Sequence, residues 1–476
     1  MALDLERVRH QFPALAGNAV FLDNPGGTQV VKNCLDRMLD YLIEANANHD
    51  GAFKTSRESD ALAARARQAA ADFLNARPEE VVFGANMTTL TFHLSRSLAP
   101  RLGPGDSLVV TRLDHDANIS PWLLLARDRG AEILWVDFHP EDGTLDLADL
   151  DRALEKKPKL IAVGYASNAL GTINPVADIA ARARAAGALV FVDAVHYAPH
   201  GPIDAAALGC DFLACSAYKF FGPHLGLLYG RRELLEELPA YKVRPADDRV
   251  PFRFETGTPN FEALAGLLGT IEYLEELGTR FGEDPEAEPA DDPSGRKRKL
   301  RRAAAAVRAH ERTLAAAMFE TLQAIPSMKI FGLTDPARFD ERVATFSFRL
   351  GDVPRGGSPR SWTATGSMPG TGTTMPSRRF GASASRTRAA CSGSGPSITT
   401  LSKTSPGSAG RWPGSPRPEF FSGRRRKNHQ SAADLVRERF APAAETSGAG
   451  CFREDAVNPE QVSRIRSFRP AGESFD

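Results

Sequence analysis

The sequence predicts an α/β protein built on a mostly parallel sheet flanked by helices. Three observations carry this. Short apolar runs rich in Val, Ile, Leu and Phe recur through the first half of the chain. Ala-rich stretches with helical spacing of apolar residues lie between them. Each apolar run ends in a polar cluster. Apolar strands alternating with amphipathic helices give βαβ units. In such sheets the chemistry collects beyond the carboxyl ends of the strands.

Taken in order, residues 1–20 read as a short helix and a turn. "AVFLDNPGGTQV" (19–30) reads as a short strand entering a Gly-Gly loop, with a helix from about Lys32. "DALAARARQAAADFLNA" (60–76) is an amphipathic helix. The rhythm then sets in: strand "EEVVFGAN" (79–86), helix "TTLTFHLSRSLAP" (88–100), strand and loop "DSLVVTRLDHDAN" (106–118), helix "ISPWLLLARDRG" (119–130). Strand "AEILWVDF" (131–138) and helix "LADLDRALEKK" (147–157) follow, then "KLIAVGYASNALGT" (159–172), helix "VADIAARARAAG" (176–187), "ALVFVDAVHYAPH" (188–200) and "CDFLACSAYK" (210–219). The acidic-then-basic block 283–302 reads as a solvated loop entering a helix. A long helix over 303–324 and a strand over 341–350 begin a second domain.

The bulk numbers narrow the function. The chain has 476 residues and a formal net charge of +0. That balance argues against a nucleic-acid or membrane-surface protein. No apolar run is long enough to span a bilayer, and "MALDLERVRHQFPALAG" lacks the apolar core of a signal peptide. Five cysteines (Cys34, Cys210, Cys215, Cys391, Cys451) are scattered, with no CxxC and no metal-ligand pair. A reduced, cytoplasmic protein without a metal site is expected.

The polar clusters are "NMTT" (86–89), "DHDAN" (114–118), "SNALGT" (167–172), "DAVHYAPH" (193–200) and "SAYK" (216–219). One is a loop; five in consecutive units point to a shared pocket. Lys219 stands between aromatic residues after an apolar run. A lone lysine usually lays its stem on apolar surface with its amine in water, whereas a buried one has a lowered pKa and becomes a nucleophile. Asp193 ends an apolar strand, where a carboxylate is costly without a cationic partner. His196 follows three residues later, and His115 follows another strand. Thr88 and Thr89 open a helix, a ready phosphate site. A lysine, a strand-end acid, a histidine and a phosphate-binding helix start are what pyridoxal phosphate needs.

Four motifs, "DHDANISPW" (114–122), "ASNALGTINPVADIAARARAAG" (166–187), "CSAYKFFGP" (215–223) and "RFETGTPN" (253–260), resemble those of the class V aminotransferases. The nearest branch is the cysteine desulfurase and selenocysteine lyase group. The resemblance runs from about residue 10 to about 350, with the motifs in the family's order. It implies the pyridoxal-phosphate-dependent transferase fold of type I, a homodimer and an amino-acid substrate. It implies that Lys219 is the Schiff-base lysine, that Asp193 pairs with the pyridinium nitrogen and that His115 stacks on the ring. Asn168 and His196 would meet the 3-oxygen side of the cofactor; His196 stands where many relatives have Gln. Ser216 and Thr88 would hold the phosphate, and Thr258 would reach the phosphate of the neighbouring subunit. Tyr218 stands where relatives commonly have His.

The texture breaks at the C-terminal side. From Val353 to Pro418 there is no Asp or Glu, and Ser, Gly, Thr, Arg and Pro crowd the segment. Such composition reads first as disorder. Taking the third base of each codon with the first two of the next gives another reading. "SMPGTGTTMPS" (367–377) then permits Tyr-Ala-Trp-Asp-Gly-Asn-Tyr-Tyr-Ala-Leu, and "CSGSGPSITTL" (391–401) permits Leu-Arg-Val-Gly-Ala-Val-His-Tyr-Asn-Thr. These resemble the family's small domain, including its carboxylate-binding arginine. A shifted reading frame beginning near Val353 is therefore expected. The family's desulfurase thiolate belongs to this region, yet Cys391 matches no family motif, and the permitted loop carries no cysteine there.

The expected organisation is an N-terminal arm over 1–30, a cofactor-binding large domain over 31–280 and the start of a small domain over 281–352. Residues 353–476 are a low-complexity tail, frame-shifted or disordered, leaving the small domain incomplete. The expected function is pyridoxal-phosphate chemistry at the α-amino group of an amino acid, cysteine-desulfurase-like. Another class V activity (aminotransferase or lyase), or a cofactor-binding chain that does not turn over, is the alternative.

Overall fold

The computed structural model describes residues 3–17, 20–283 and 292–351. The chain opens with α1 (Leu5–His10), capped by Asp4, whose carboxylate accepts the Arg7 N–H at 3.1 Å. Two longer helices follow, α2 (Lys32–Glu44) and α3 (Lys54–Leu74). Alternation then begins where the apolar runs predict it: β1 (Val81–Gly84), α4 (Met87–Leu98), β2 (Ser107–Thr111), α5 (Ser120–Arg129), β3 (Glu132–Val136) and α6 (Leu147–Leu154). It continues through β4 (Leu160–Gly164), α7 (Val176–Ala185), β5 (Leu189–Asp193), the one-turn α8 (Ala205–Leu208), β6 (Phe212–Ser216) and β7 (Gly226–Gly230). After α9 (Arg232–Glu237) come the long helices α10 (Phe261–Phe281) and α11 (Arg296–Gln323), then a hairpin of β8 (Met328–Phe331) and β9 (Ser347–Leu350).

Seven strands form one sheet in the order β1-β7-β6-β5-β4-β2-β3. The pairs β2–β3, β2–β4, β4–β5 and β5–β6 are parallel, and β7 lies antiparallel between β6 and β1. All strands except β7 therefore present their carboxyl ends to one rim. β2, β4, β6 and β7 are buried along their whole length, as helices on both faces require. Alternate residues feed two cores. Val109, Ile161, Val163, Val192 and Leu213 pack toward α2, α3, α6, α7 and α10. Leu108, Val110, Ala162, Phe191 and Phe212 pack toward α4, α5 and α9. Each such buried Val, Leu, Ile or Phe side chain contributes about 1.5–3 kcal/mol of transfer free energy.

Three expectations need correction. No strand forms within the described part of 19–30. That segment crosses the rim instead, with the Thr28 N–H on the Tyr218 carbonyl (3.0 Å) and the Val31 N–H on that of Phe221 (3.1 Å). Its apolar run is short, and Pro25 offers no ladder donor. The strand expected over 341–350 narrows to β9. Residues 341–343 pair with the loop after β4 instead, through Ile173 N–H to Glu341 O (2.8 Å) and Val343 N–H to Gly171 O (2.9 Å). The helix expected from 303 begins earlier, at Arg296, whose side chain bridges Glu275 on α10 and Asp72 on α3, both at 3.0 Å.

Candidate active site

Lys219 lies three residues beyond β6, in a tight turn over Ala217–Lys219. Its apolar strand must stay inside the sheet, so the chain reaches the rim at Ser216 and the turn sits upon it. The lysine does not snorkel: it is 9% exposed. Its Nζ donates to the Pro25 carbonyl of the N-terminal segment and lies 4.9 Å from the Tyr218 ring centre. Desolvation pulls its pKa down to about 8, against the opposing pull of Asp193. About a tenth of the amine is then neutral at pH 7, far more than for an exposed lysine.

Asp193 ends β5, level with Ala214 of β6 and Gly164 of β4. The Val195 N–H fixes one carboxylate oxygen at 2.9 Å, and among the described residues the carboxylate has no ion-pair partner within 4 Å. Burial pushes its pKa above the ordinary carboxylate range, and the charges of His115 and Lys219 oppose that. His196 is buried beside it. Its Nε2 lies 2.9 Å from the Thr345 hydroxyl, and its ring meets His200 edge-on at 5.3 Å. Burial first, then any positive charge on His200, Lys219 and His115, holds its pKa well below the usual histidine value, so the ring is neutral.

His115 sits in the turn after β2. Its Nδ1 accepts the Ala117 N–H at 3.0 Å, which places the proton of the neutral ring on Nε2. Across the rim, α4 begins at Met87, whose N–H donates to Ser216 Oγ at 3.0 Å. Asn86 caps the helix by accepting the Thr89 N–H at 2.9 Å. Gly226 of β7 permits this approach: a Cβ there would lie 2.5 Å from the Asn86 backbone. Thr88 is exposed on the first turn of α4, among amides that favour an anion.

Lys219, Asp193, His115 and His196 thus form one electrostatic cluster, with Ser216 and Thr88 at the adjoining helix start. Asn168 is half-buried in a turn where the Ser167 hydroxyl accepts the N–H groups of Ala169 (3.3 Å) and Leu170 (3.2 Å), and its own side chain makes no hydrogen bond among the described residues. Thr258 stands apart, exposed before Asn260, the N-cap of α10. No hydrogen bond joins it to the other seven among the described residues. Sequence reasoning missed Pro25 and Thr345, which reach the cluster from distant segments, and Asp114. Only Asp114 left a trace, as the first residue of "DHDAN".

The described cysteines are quiet. Burial pushes the thiol of Cys34 up to about 11 and that of Cys210 to about 12, and raises Cys215 further. Cys391 and Cys451 lie outside the described residues.

This donor set fits pyridoxal phosphate: a desolvated amine, a buried carboxylate lacking a cation, and a capped helix start on one rim. The family model for aminotransferase class-V matches residues 20–291. A cysteine desulfurase of Serratia proteamaculans is 33% identical over 373 residues, 74% of this chain and 84% of the relative. The chain belongs to the class-V aminotransferase family. It is an enzyme of that type, and its family works with pyridoxal phosphate. An aminotransferase-like protein, FGM3, of Gibberella zeae is 35% identical over 359 residues, 73% of this chain and 82% of the relative. The apo structure of a cysteine desulfurase from Thermococcus onnurineus superposes with a TM-score of 0.65 at 26% identity, covering 76% of this chain and 86% of that one. The cysteine desulfurase CsdA of Escherichia coli shares the fold, with a TM-score of 0.63 at 24% identity over 76% of this chain and 87% of that one. No helix among the described residues is long and apolar enough to cross a membrane.

Proposed function

We propose that this chain binds pyridoxal phosphate on Lys219 and acts at the α-amino group of an amino acid, on the pattern of a cysteine desulfurase. One observation carries the reading. A desolvated amine just beyond β6 lies within electrostatic reach of a buried, unpaired carboxylate at the end of β5. When bound, the cofactor supplies an electron sink for breaking a bond at the α-carbon. Lys219 carries it and moves protons at the α-carbon. Asp193 keeps a proton on the ring nitrogen. His115 would lie against the ring, His196 and Asn168 would serve its 3-oxygen side, and Thr88 and Ser216, at the start of α4, would hold the phosphate.

The second reading is another class V activity, aminotransferase or lyase. It is favoured by the sequence around Cys391, which matches no family motif where the desulfurase thiolate belongs, since a desulfurase needs an accessible thiolate. The third is a chain that binds cofactor without turnover because the small domain is disrupted beyond Val353, outside the described residues.

The proposed organisation follows the same lines. The small apolar cluster of Ala315, Phe319, Leu322, Phe339 and Phe346 supports a second domain beginning at 281. Free, buried Cys34, Cys210 and Cys215 support a reducing, cytoplasmic setting. The exposed position of Thr258 supports a homodimer in which it serves the partner's phosphate.

Borohydride reduction of the cofactor-loaded chain tests the reading. The expected result is a label on Lys219 that Lys219→Ala abolishes; a label on another lysine refutes the assignment. A panel of amino acids, with sulfide release from L-cysteine, then separates the activities. The chain as written is expected to release little or no sulfide. Its Ser392 and Gly393 carry no charge where the shifted frame permits the carboxylate-binding arginine, and losing such a clamp costs about a hundredfold in rate or more. A chain re-encoded over 353–418 is the comparison, and equal, robust turnover by both would refute the frame-shift reading.

A further inference from the structure

We propose that Asp114 is a positioning residue of the candidate site: its carboxyl joins the turn that carries His115 to the end of β4, beside Asp193. The inference rests on the reading that His115 and Asp193 flank a bound cofactor. It begins with an unfilled strand position. β2 pairs with β4 only at Leu108–Leu160 and Val109–Ile161, and the two strands then part. On its other side β4 runs with β5 to its end, where the Tyr165 N–H donates to the Asp193 carbonyl at 2.8 Å. The Gly164 N–H therefore points toward the missing partner, and a buried N–H must find an acceptor. Asp114 Oδ1 takes it at 2.7 Å. The site is made for glycine: a Cβ on Gly164 would lie 2.7 Å from that oxygen.

The other carboxyl oxygen accepts Asn118 Nδ2 at 2.9 Å. Asn118 Oδ1 in turn accepts Trp122 Nε1 at 3.2 Å. Trp122 is fully buried and packs edge-on against Phe191 of β5, with ring centres 5.2 Å apart. The Asn118 N–H closes the turn on the His115 carbonyl at 2.8 Å. His115 is thus gripped from both sides, and the chain of bonds runs from β4 through Asp114, Asn118 and Trp122 to β5. Asp114 also sits within electrostatic range of Asp193, whose other charged neighbours are His115 and Lys219. Burial above all, with the charge of Asp193, pushes the Asp114 carboxyl up to about 8, so changing it alters the aim of His115 at neutral pH and the field at Asp193 only where Asp114 ionises.

The test uses the full chain, wild type and Asp114→Asn, titrated with pyridoxal phosphate. Three quantities are read: the dissociation constant, the pH at which the bound absorbance band titrates, and the melting temperature of the cofactor-free chain. Asp114→Asn is expected to weaken binding about tenfold, the scale of one lost hydrogen bond, and to shift the titration while the melting temperature holds. Unchanged affinity and titration in the folded variant overturn the proposal. Should Asp114→Asn fail to fold, Asn118→Ala decides on the same two readouts, since it releases Asp114 and Trp122 without touching the sheet. Asp193→Asn separates the proposal from the reading beneath it. If Asp193→Asn disturbs binding and Asp114→Asn does not, only the positioning role falls. If the wild type binds no cofactor on Lys219, the reading falls and the proposal with it.

Discussion

Lys219 and Asp193 show how burial prepares two groups by opposite shifts. Desolvation lowers the lysine to about 8 and raises the carboxyl, because both charged forms are disfavoured in a dry site. The sign gives a pH dependence. Only the neutral amine attacks an aldehyde, so cofactor attachment should speed up about tenfold per pH unit below the lysine's pKa and level off above it. Stopped-flow absorbance between pH 6 and 10 measures this; a plateau already reached at pH 6, or a rise continuing past pH 10, excludes the lowered value. Asp193→Asn keeps the shape and removes the charge that would hold a proton on the cofactor ring. Catalysis should fall by about a hundredfold or more with little change in melting temperature, and wild-type turnover would remove Asp193 from the site. At this scale the sequence was legible where an apolar run stops: Asp193 is a strand's last residue, and Lys219 and His115 follow strand ends. Pro25, Thr345 and the role of Asp114 were not, because each meets the cluster through a fold contact that no local pattern encodes.

Among elements, the segment bearing Thr258 is anchored by one buried ion pair. Arg67 of α3 meets Glu255 through Nη1–Oε1 (2.8 Å) and Nη2–Oε2 (2.9 Å), with the two side chains 8% and 9% exposed. Arg67 also donates to the Val81 carbonyl at 2.6 Å, and Glu255 accepts the Phe83 N–H at 2.8 Å. The guanidinium lies between the rings of Phe83 (4.7 Å) and Phe252 (4.8 Å). Breaking a buried pair from one side strands a charge and costs about 3–5 kcal/mol. Glu255→Gln should therefore lower stability by about 3 kcal/mol in a denaturant titration, and Arg67→Met combined with Glu255→Met should recover part of the loss. An unchanged midpoint for Glu255→Gln would show that the pair is not buried as described. The motif "RFETGTPN" marked this stretch as functional; its tie to α3, 188 residues earlier in sequence, was beyond local reading.

For the whole molecule, the feature left open is a row of exposed apolar side chains on α2. Leu35, Leu39, Leu42 and Ile43 are between 43% and 72% exposed and fall on one helix face by their spacing. Contiguous apolar surface of this kind marks interaction sites. It supports a second copy of the chain as the occupant, in line with the proposed sharing of Thr258. Leu39→Glu with Ile43→Glu should shift the protein from dimer to monomer in sedimentation and weaken cofactor binding with it. A wild type that sediments as a monomer with full cofactor affinity would contradict the shared site.

The sequence by itself determined the α/β class, the order of alternation and the rim residues, because strand and helix periods are local and polar clusters must fall where apolar runs end. It also showed the change in composition near Val353, since composition needs no fold to be read. The tertiary structure decided the rest. It turned the expected N-terminal strand into a crossing segment whose Pro25 carbonyl meets Lys219. It drew the segment 341–343 onto the loop after β4, and put Asp114 into the strand position that β2 vacates. Each of these outcomes depends on which backbone donors and acceptors are left unpaired once the sheet has closed, and that is known only when distant segments have been brought together.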